Sequence, residues 1–463
     1  MKGLLKYLNA PTSIAPLAVF RVLFGFIMLV SIIRFTAKGW IKTLYIDPQF
    51  YFTFYGFEWV KPLGAGMNLL FALMGASALM IMLGYKYRLA ILVFFLSFTY
   101  VELIDKSNYL NHYYFVSVVS FLLILVPAHR KFSLDAWINP RLQVAQVPAW
   151  IILILKLQLA IVYLYAGAAK LNPDWLLEAM PLRIWLPAHA HLPLIGGLLE
   201  HTATAYIFSW AGAIYDLTIV FFLLYRRTRL RAFAAVVVFH LSTAVLFQIG
   251  MFPYIMILAT LVFFSPEFHE KLISAANGLL ARILPEQSLA ALPQVSAGTL
   301  AFGPSLSRVL LVVLVAHFAV QLLIPLRSRL FPGELFWTEQ GYRFSWRVML
   351  MEKAGYAVFH VKDPATNRSW EVQNWKYLTP NQEKMMATQP DMILQFAHHL
   401  EQVYKQKGIK DVEITTDCYV TLNGKRSRLF IDPEVDLTKI EEGFAHKQWI
   451  LPLERPRQEL ARN

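Results

Sequence analysis

The chain has 463 residues, 57% of them hydrophobic and 16% charged, and a mean hydropathy of +0.47, too apolar for a water-soluble enzyme of this length. A formal charge of +13 would suggest nucleic acid in a soluble protein. Here the basic residues gather in short loops between apolar runs, a membrane-topology pattern, so no nucleic-acid partner is implied and the partner is the lipid bilayer.

A span needs about 20 apolar residues. Taken in chain order, spans are expected near residues 14–35, 66–84, 88–104, 113–128, 149–169, 203–225, 231–249, 252–265 and 307–325. Lys2 and Lys6 precede the first run without a small-residue cleavage site, which reads as a retained helix with its amino terminus inside. Counting from there puts Lys86, Arg88, Arg130, Lys131, Arg226, Arg227, Arg229 and Arg231 on the cytoplasmic side, as the positive-inside rule prefers. The 36–65 loop, the 105–112 turn, Lys170, the break at 248–253 and everything after residue 326 then face outside; Lys38, Lys42 and Lys61 run against the rule.

The expected organisation is a polytopic α-helical membrane protein with a β-rich extramembrane domain. Residues 1–265 form eight spans, 266–306 an amphipathic interfacial helix and cytoplasmic linker, 307–326 the last span, and 327–463 an extracytoplasmic α+β or β-sandwich domain. There, alternation at Val412, Ile414, Thr416, Cys418 and Val420, then Asn423-Gly424 and residues 428–431, predicts a two-residue hairpin. A second hairpin is expected from 356–361 and 369–375, and a helix capped by Asp391 that stops at Gly408. Cys418 is the single cysteine, so no intrachain disulfide forms.

Lys170 ends the fifth apolar run, where a charge is costly. Burial disfavours an ammonium and makes such a lysine a candidate base; the competing reading is a lysine that snorkels to the headgroups. Asp105, Lys106, Asn111, His112, Asp174 and Glu178 collect at the same outer level, while Asp216, His240, Ser242, Thr243 and Gln248 lie within apolar runs and must find one another or water. His112 reads as an interfacial imidazole paired to its loop, and His240 equally as structural or catalytic. Arg21, inside the first run, snorkels or pairs with a carboxylate or carbonyl. Trp337, Tyr342, Phe344 and Trp346 follow the last run as an aromatic belt would. No metal-ligand spacing, phosphate loop or nucleophile elbow is present, and no metal is expected.

Five dispersed blocks carry a resemblance. They are Asp105-Lys106 with Asn111-His112; Ala166-Gly167-Ala168-Ala169-Lys170-Leu171 with Asp174-Trp175; His240 with Leu246-Phe247 and Ile249-Gly250-Met251-Phe252; Trp337-Thr338 with Tyr342 and Ser345-Trp346; and Asp432-Pro433 with Val435-Asp436. In these blocks, which keep their order from the first span to about Trp449, the chain resembles the vitamin K-dependent γ-glutamyl carboxylases and their bacterial relatives. The resemblance implies an enzyme of a bacterial inner membrane that oxygenates a reduced naphthoquinone of phylloquinone or menaquinone type to its epoxide. That oxygenation drives removal of a γ-proton from a glutamate in a protein or peptide substrate, and CO2 adds there. It implies Lys170 as the base on the hydroquinone, His112 in the carbanion or CO2 step, and His240 in positioning the quinone or O2. Asp105, Asn111, Ser242, Gln248 and Met251 would form the quinone pocket, and Trp337, Tyr342, Arg343, Ser345 and Trp346 would hold the substrate glutamate. The animal enzymes join their two parts by a disulfide that one cysteine cannot make. Two rival readings remain: a quinone-dependent membrane oxidoreductase without carboxylation, and a non-catalytic transporter or scaffold.

Overall fold

A computed structural model describes residues 2–247, 249–283, 298–300 and 302–453. In lipid a backbone must satisfy its own hydrogen bonds, so the apolar runs become helices: α1 (Ala15–Ala37), α2 (Gly66–Leu83), α3 (Tyr87–Ile104), α4 (Asn111–Leu125), α5 (Trp150–Ala169), α6 (Thr202–Leu224), α7 (Arg229–Leu246), α8 (Phe252–Thr260), α9 (Pro266–Ile283) and α10 (Pro304–Leu323). A helix forms at every expected place, yet the described residues contain seven helices long and apolar enough to cross a membrane, or eight if the pair Phe252–Phe263 and Pro266–Arg282, bent by 115°, is one span. About nine are expected, and the one that falls short by length is α4. α4 has 15 residues; at 1.5 Å per residue it reaches about 22 Å, short of a hydrocarbon core of about 30 Å.

Close helix contacts come from small residues. A Cβ on Gly25 would lie 2.4 Å from the backbone nitrogen of Met82, so α1 and α2 touch backbone to backbone. Arg21 neither snorkels nor finds a carboxylate: it is fully buried and donates to the carbonyls of Ile81 (2.9 Å), Met82 (3.0 Å) and Phe132. It thus satisfies the free carbonyls at the end of α2. α9 is the expected amphipathic helix, tied to the bundle by Lys131 and Ser13, whose side chains bond Glu270 at 2.6 and 2.9 Å. The expected linker falls largely on residues outside the described ones. α10 presents most of its surface outward, and polar groups hold it: Gln321 Nε2 donates to the Tyr114 hydroxyl (2.7 Å), and Gln158 Nε2 to Gln321 Oε1 (3.2 Å).

The domain after α10 contains β1 (Lys353–Asp363), β2 (Arg368–Glu371), α11 (Pro380–Met386), α12 (Pro390–Gln406), β3 (Glu413–Leu422) and β4 (Arg428–Leu429). They make one antiparallel sheet in the order β2-β1-β3-β4, and Phe359, Val361, Ile414, Cys418 and Val420 share a core with Phe396 and Leu400 of α12. The domain is α+β, not a sandwich. Asn423 and Gly424 both take positive φ (51° and 71°), as a tight hairpin turn requires. The ladder closes only at Val420 and Arg428, so the loop is wider than the two residues expected. α12 starts at Pro390 without a side-chain cap; Asp391 sits in its first turn with its carboxylate engaged elsewhere. Between α10 and β1 the chain is irregular, with positive φ at Glu339, Phe344, Trp346 and Met349, each costing about 1 kcal/mol in a residue with a Cβ.

Candidate active site

The site begins with a close approach. A Cβ on Gly167 of α5 would lie 2.8 Å from the backbone nitrogen of Leu217 on α6, so only glycine lets the helices come this near. Asp216 precedes Leu217, and Lys170 lies one turn beyond Gly167. Lys170 Nζ donates to Asp216 Oδ2 at 2.6 Å and to the Ala166 carbonyl at 3.3 Å, and lies 5.4 Å from the centre of the Trp175 ring. Both members of the pair are buried, 6% and 5% exposed, so Lys170 does not snorkel. Trp175 is fixed by Asn172, whose Oδ1 accepts from its backbone N–H (2.9 Å), and by its own Nε1, which donates to the Ser209 carbonyl (2.8 Å).

Two turns before Lys170, on the same face of α5, the Tyr163 hydroxyl meets His240 Nε2 of α7 at 3.1 Å. Thr260 Oγ1, which donates to the Met256 carbonyl, lies 3.5 Å from the same hydroxyl. His240 Nδ1 is buried with no hydrogen-bond partner among the described residues. Such a group in a wall of aromatic carbon is costly unless a ligand meets it.

Lys170, Asp216, Tyr163 and His240 line a cavity of about 880 Å³, its open mouth included, between α5, α6, α7 and the start of α8, roofed by Val348 and Met349 from beyond the last span. Trp175, Trp185, Phe208, Phe239, Phe247 and Phe252 form its aromatic walls; Lys170, Asp216, Tyr163, His240, Ser242 and Thr243 supply its polar atoms. Flat apolar walls with polar groups at separate points suit a planar aromatic molecule carrying oxygens at its edges.

Of the residues expected at the quinone, Lys170, His240 and Ser242 line this cavity. His112 is buried on α4 behind Phe252, whose ring centre is 6.0 Å from that of His112 and 5.8 Å from that of His240. Met251 is buried just before Phe252 without reaching the wall. Asn111 Nδ2 donates to the Arg347 carbonyl (2.8 Å). Asp105 accepts from the Ser107 N–H and from Gln382 Nε2, both at 2.8 Å, so it joins the two domains instead of lining the pocket. Gln248 lies outside the described residues.

The residues expected at the glutamate are occupied internally. Trp337, 1% exposed, belongs to the second domain's core and donates from Nε1 to the Leu451 carbonyl (2.7 Å). Trp346, 1% exposed, stacks on Tyr114 at 4.9 Å; neither tryptophan is an interfacial belt residue. Tyr342 packs on Phe336, and the Ser345 hydroxyl donates to the Gly341 carbonyl (2.8 Å). Arg343 bonds Asp391 (2.7 Å) and Gln389. None of the five touches the cavity; Val348 and Met349, just after them, do.

Contacts between the domains frame the site. Asp391 pairs with Arg343 and with Lys106 (3.0 Å) of the membrane part. Burial opposes its charge, but Arg343 and then Lys106 hold the carboxyl well below the usual carboxylate range. At the hairpin tip, Asn423 Nδ2 and Lys425 Nζ reach Asp174 at 2.8 and 3.1 Å, and Trp185 Nε1 donates to Glu352 at 2.6 Å. Sequence reasoning marked Asp216 as a charge inside a span but did not pair it with Lys170. The roof left no local signal; of the aromatic walls, Trp175, Phe247 and Phe252 fell within the blocks that carry the resemblance, and Trp185, Phe208 and Phe239 did not.

Residues 9–268 match the family described as HTTM domain, and residues 306–456 match the one described as Vitamin K-dependent gamma-carboxylase, lumenal domain. No solved structure matches the chain.

Proposed function

We propose, from the premise that the chain belongs to the vitamin K-dependent gamma-carboxylase family, that it oxygenates a reduced naphthoquinone in the cavity beside Lys170 and couples this to γ-carboxylation of a glutamyl protein or peptide. One observation carries the reading: a buried lysine and a histidine whose Nδ1 has no partner among the described residues line one aromatic-walled cavity. Naphthoquinol, when bound, supplies the reducing power for O2 and the strong base that no side chain can provide for a glutamate γ-proton.

The chain's own residues bind, orient and move protons. The aromatic walls hold a flat ring which, once bound, shuts water out. Lys170 Nζ is placed to take a hydroxyl proton from that ring, and His240 Nδ1 to hydrogen-bond an oxygen, oriented by Tyr163 through Nε2. His112, one ring farther from the base behind Phe252, suits the later step at the glutamate carbanion or CO2. The segment holding Tyr342, Arg343, Ser345 and Trp346 leads directly into the roof at Val348, so a glutamate received there would come down on the cavity. On this reading the second domain lies on the extracytoplasmic side of a bacterial inner membrane.

The test is purified protein in nanodiscs with reduced vitamin K, O2, labelled CO2 and a short glutamyl peptide, with epoxide and fixed label measured separately. Both products together support the proposal. Epoxide without label favours the second reading, a quinol oxygenase without carboxylation, which the internal engagement of Trp337, Arg343, Ser345 and Trp346 favours. Neither product leaves only a non-catalytic role.

A further inference from the structure

A lone buried lysine is a ready base because burial strips its proton. This lysine is not alone. A carboxylate 2.6 Å away gives its ammonium a counter-ion, and both side chains face the cavity in which the proposed chemistry occurs. An ammonium held against a carboxylate is a stable pair as long as water reaches it. Some other event must therefore uncover the amine.

We propose that Asp216 is the proton store of this site, a positioning residue acting through Lys170: when a quinol displaces water from the cavity, the proton on Lys170 Nζ passes to Asp216 Oδ2 and leaves a free amine facing the ligand. The inference rests on the proposed quinol reading. Two charges lose their hydration when the cavity dries, whereas an amine beside a carboxylic acid loses little, so drying favours the neutral pair. At 2.6 Å the transfer needs almost no heavy-atom movement. Among the described residues, the cavity wall offers the pair no other charge. The neighbouring wall groups are Val162, Ala166, Trp175, Phe208 and Gly212; the nearest titratable groups are Tyr163, Tyr215 and, beyond them, His240; among the described residues no further carboxylate or ammonium lines the cavity.

The step balances. One N–H bond on Lys170 breaks and one O–H bond on Asp216 forms, with no electron transferred. A quinol hydroxyl then gives its proton to Nζ. The pair ends as ammonium and carboxylic acid beside one deprotonated ligand, so the site stays net neutral from first to last. The base exists only when the ligand is present to use it, which guards a resting cavity from idle proton exchange.

The experiment is anaerobic infrared difference spectroscopy of wild-type protein in nanodiscs on addition of menadiol, the short-chain naphthoquinol. A carboxylic-acid C=O band should appear on binding and shift when the protein carries aspartate labelled with carbon-13 in its side-chain carboxyl group. It should be absent in Asp216→Asn, and the same variant should lose roughly 10²-fold in epoxidation, the usual worth of a positioned proton acceptor. Asp216→Glu should restore the band and part of the rate. Because Asp216→Asn leaves a buried ammonium without its partner and can unfold the bundle, the labelled wild type is the deciding sample. Menadiol that binds without producing the labelled band overturns the proposal, as does a folded Asp216→Asn protein with wild-type turnover. Menadiol that neither binds nor is epoxidised overturns the quinol reading, and the proposal falls with it.

Discussion

At the scale of single residues, chemistry and architecture separate cleanly enough to be tested one side chain at a time. Lys170→Ala should lower epoxidation and carboxylation together by roughly 10²- to 10⁴-fold, since both need the base, and a small exogenous amine should return part of each. His112→Ala should leave epoxide formation while fixed CO2 falls, because Phe252 stands between His112 and the Lys170 cavity. Parallel loss of both products in a folded protein would move His112 to the quinol step. Asp391→Asn is an architectural change. It leaves Arg343 and Lys106 without their shared carboxylate and should cost about 2 kcal/mol, less than the ~3–5 of a fully buried pair because 34% of the Asp391 side chain remains exposed. The sign with pH follows from the lowered native carboxyl: its stabilisation is complete above the ordinary carboxylate range and is lost as pH falls through the depressed native value. Melts of both proteins along an acid series should show the gap closing only at the acid end.

Elements carry the next set of consequences. The Lys170–Asp216 pair depends on how near α5 comes to α6, and Gly167 sets that distance against Leu217. Gly167→Ala must push the helices apart, so it should lower quinol turnover at least tenfold, with a loss of about 1–2 kcal/mol in thermal stability. Turnover equal to wild type in a folded Gly167→Ala protein would mean the approach is incidental. This spacing also explains what was legible in the sequence. Runs of apolar residues announced every bundle helix, because lipid demands internal hydrogen bonding whatever the packing. Lys170 and His240 stood out because polar groups in such runs are costly. The pairings did not, since Asp216 and Tyr163 are brought to them by helix contacts that no single helix encodes. The α+β sheet was half visible: Asn423-Gly424 marked the turn, but the ladder's true closing point depends on pairing of Val420 with Arg428. Asp391 looked like a cap because its position near a helix start is the same whether it bonds the backbone or, as it does, two cations on other segments.

In the whole molecule, the second domain serves as the lid of the first. Its hairpin tip grips the loop after Lys170 through Asn423, Lys425 and Asp174, and Met349 covers the cavity. Replacing Asn423 and Lys425 together with alanine should speed hydrogen exchange across residues 171–186. Carboxylation should drop further than epoxidation, because the substrate side is loosened first. Exchange unchanged in that segment would show that the tip rests on the loop without holding it. The order of the parts along the chain adds a consequence for biogenesis. A ribosome delivers Lys170 and its aspartate into the bilayer well before it translates the methionine that shields them or the asparagine that clamps them. A nascent protein inserts with this cavity still unroofed, and a chain stopped short of Val348 would leave it open. Closure of the cavity is thus timed by translation itself, since the segments that cover and clamp it follow those that line it.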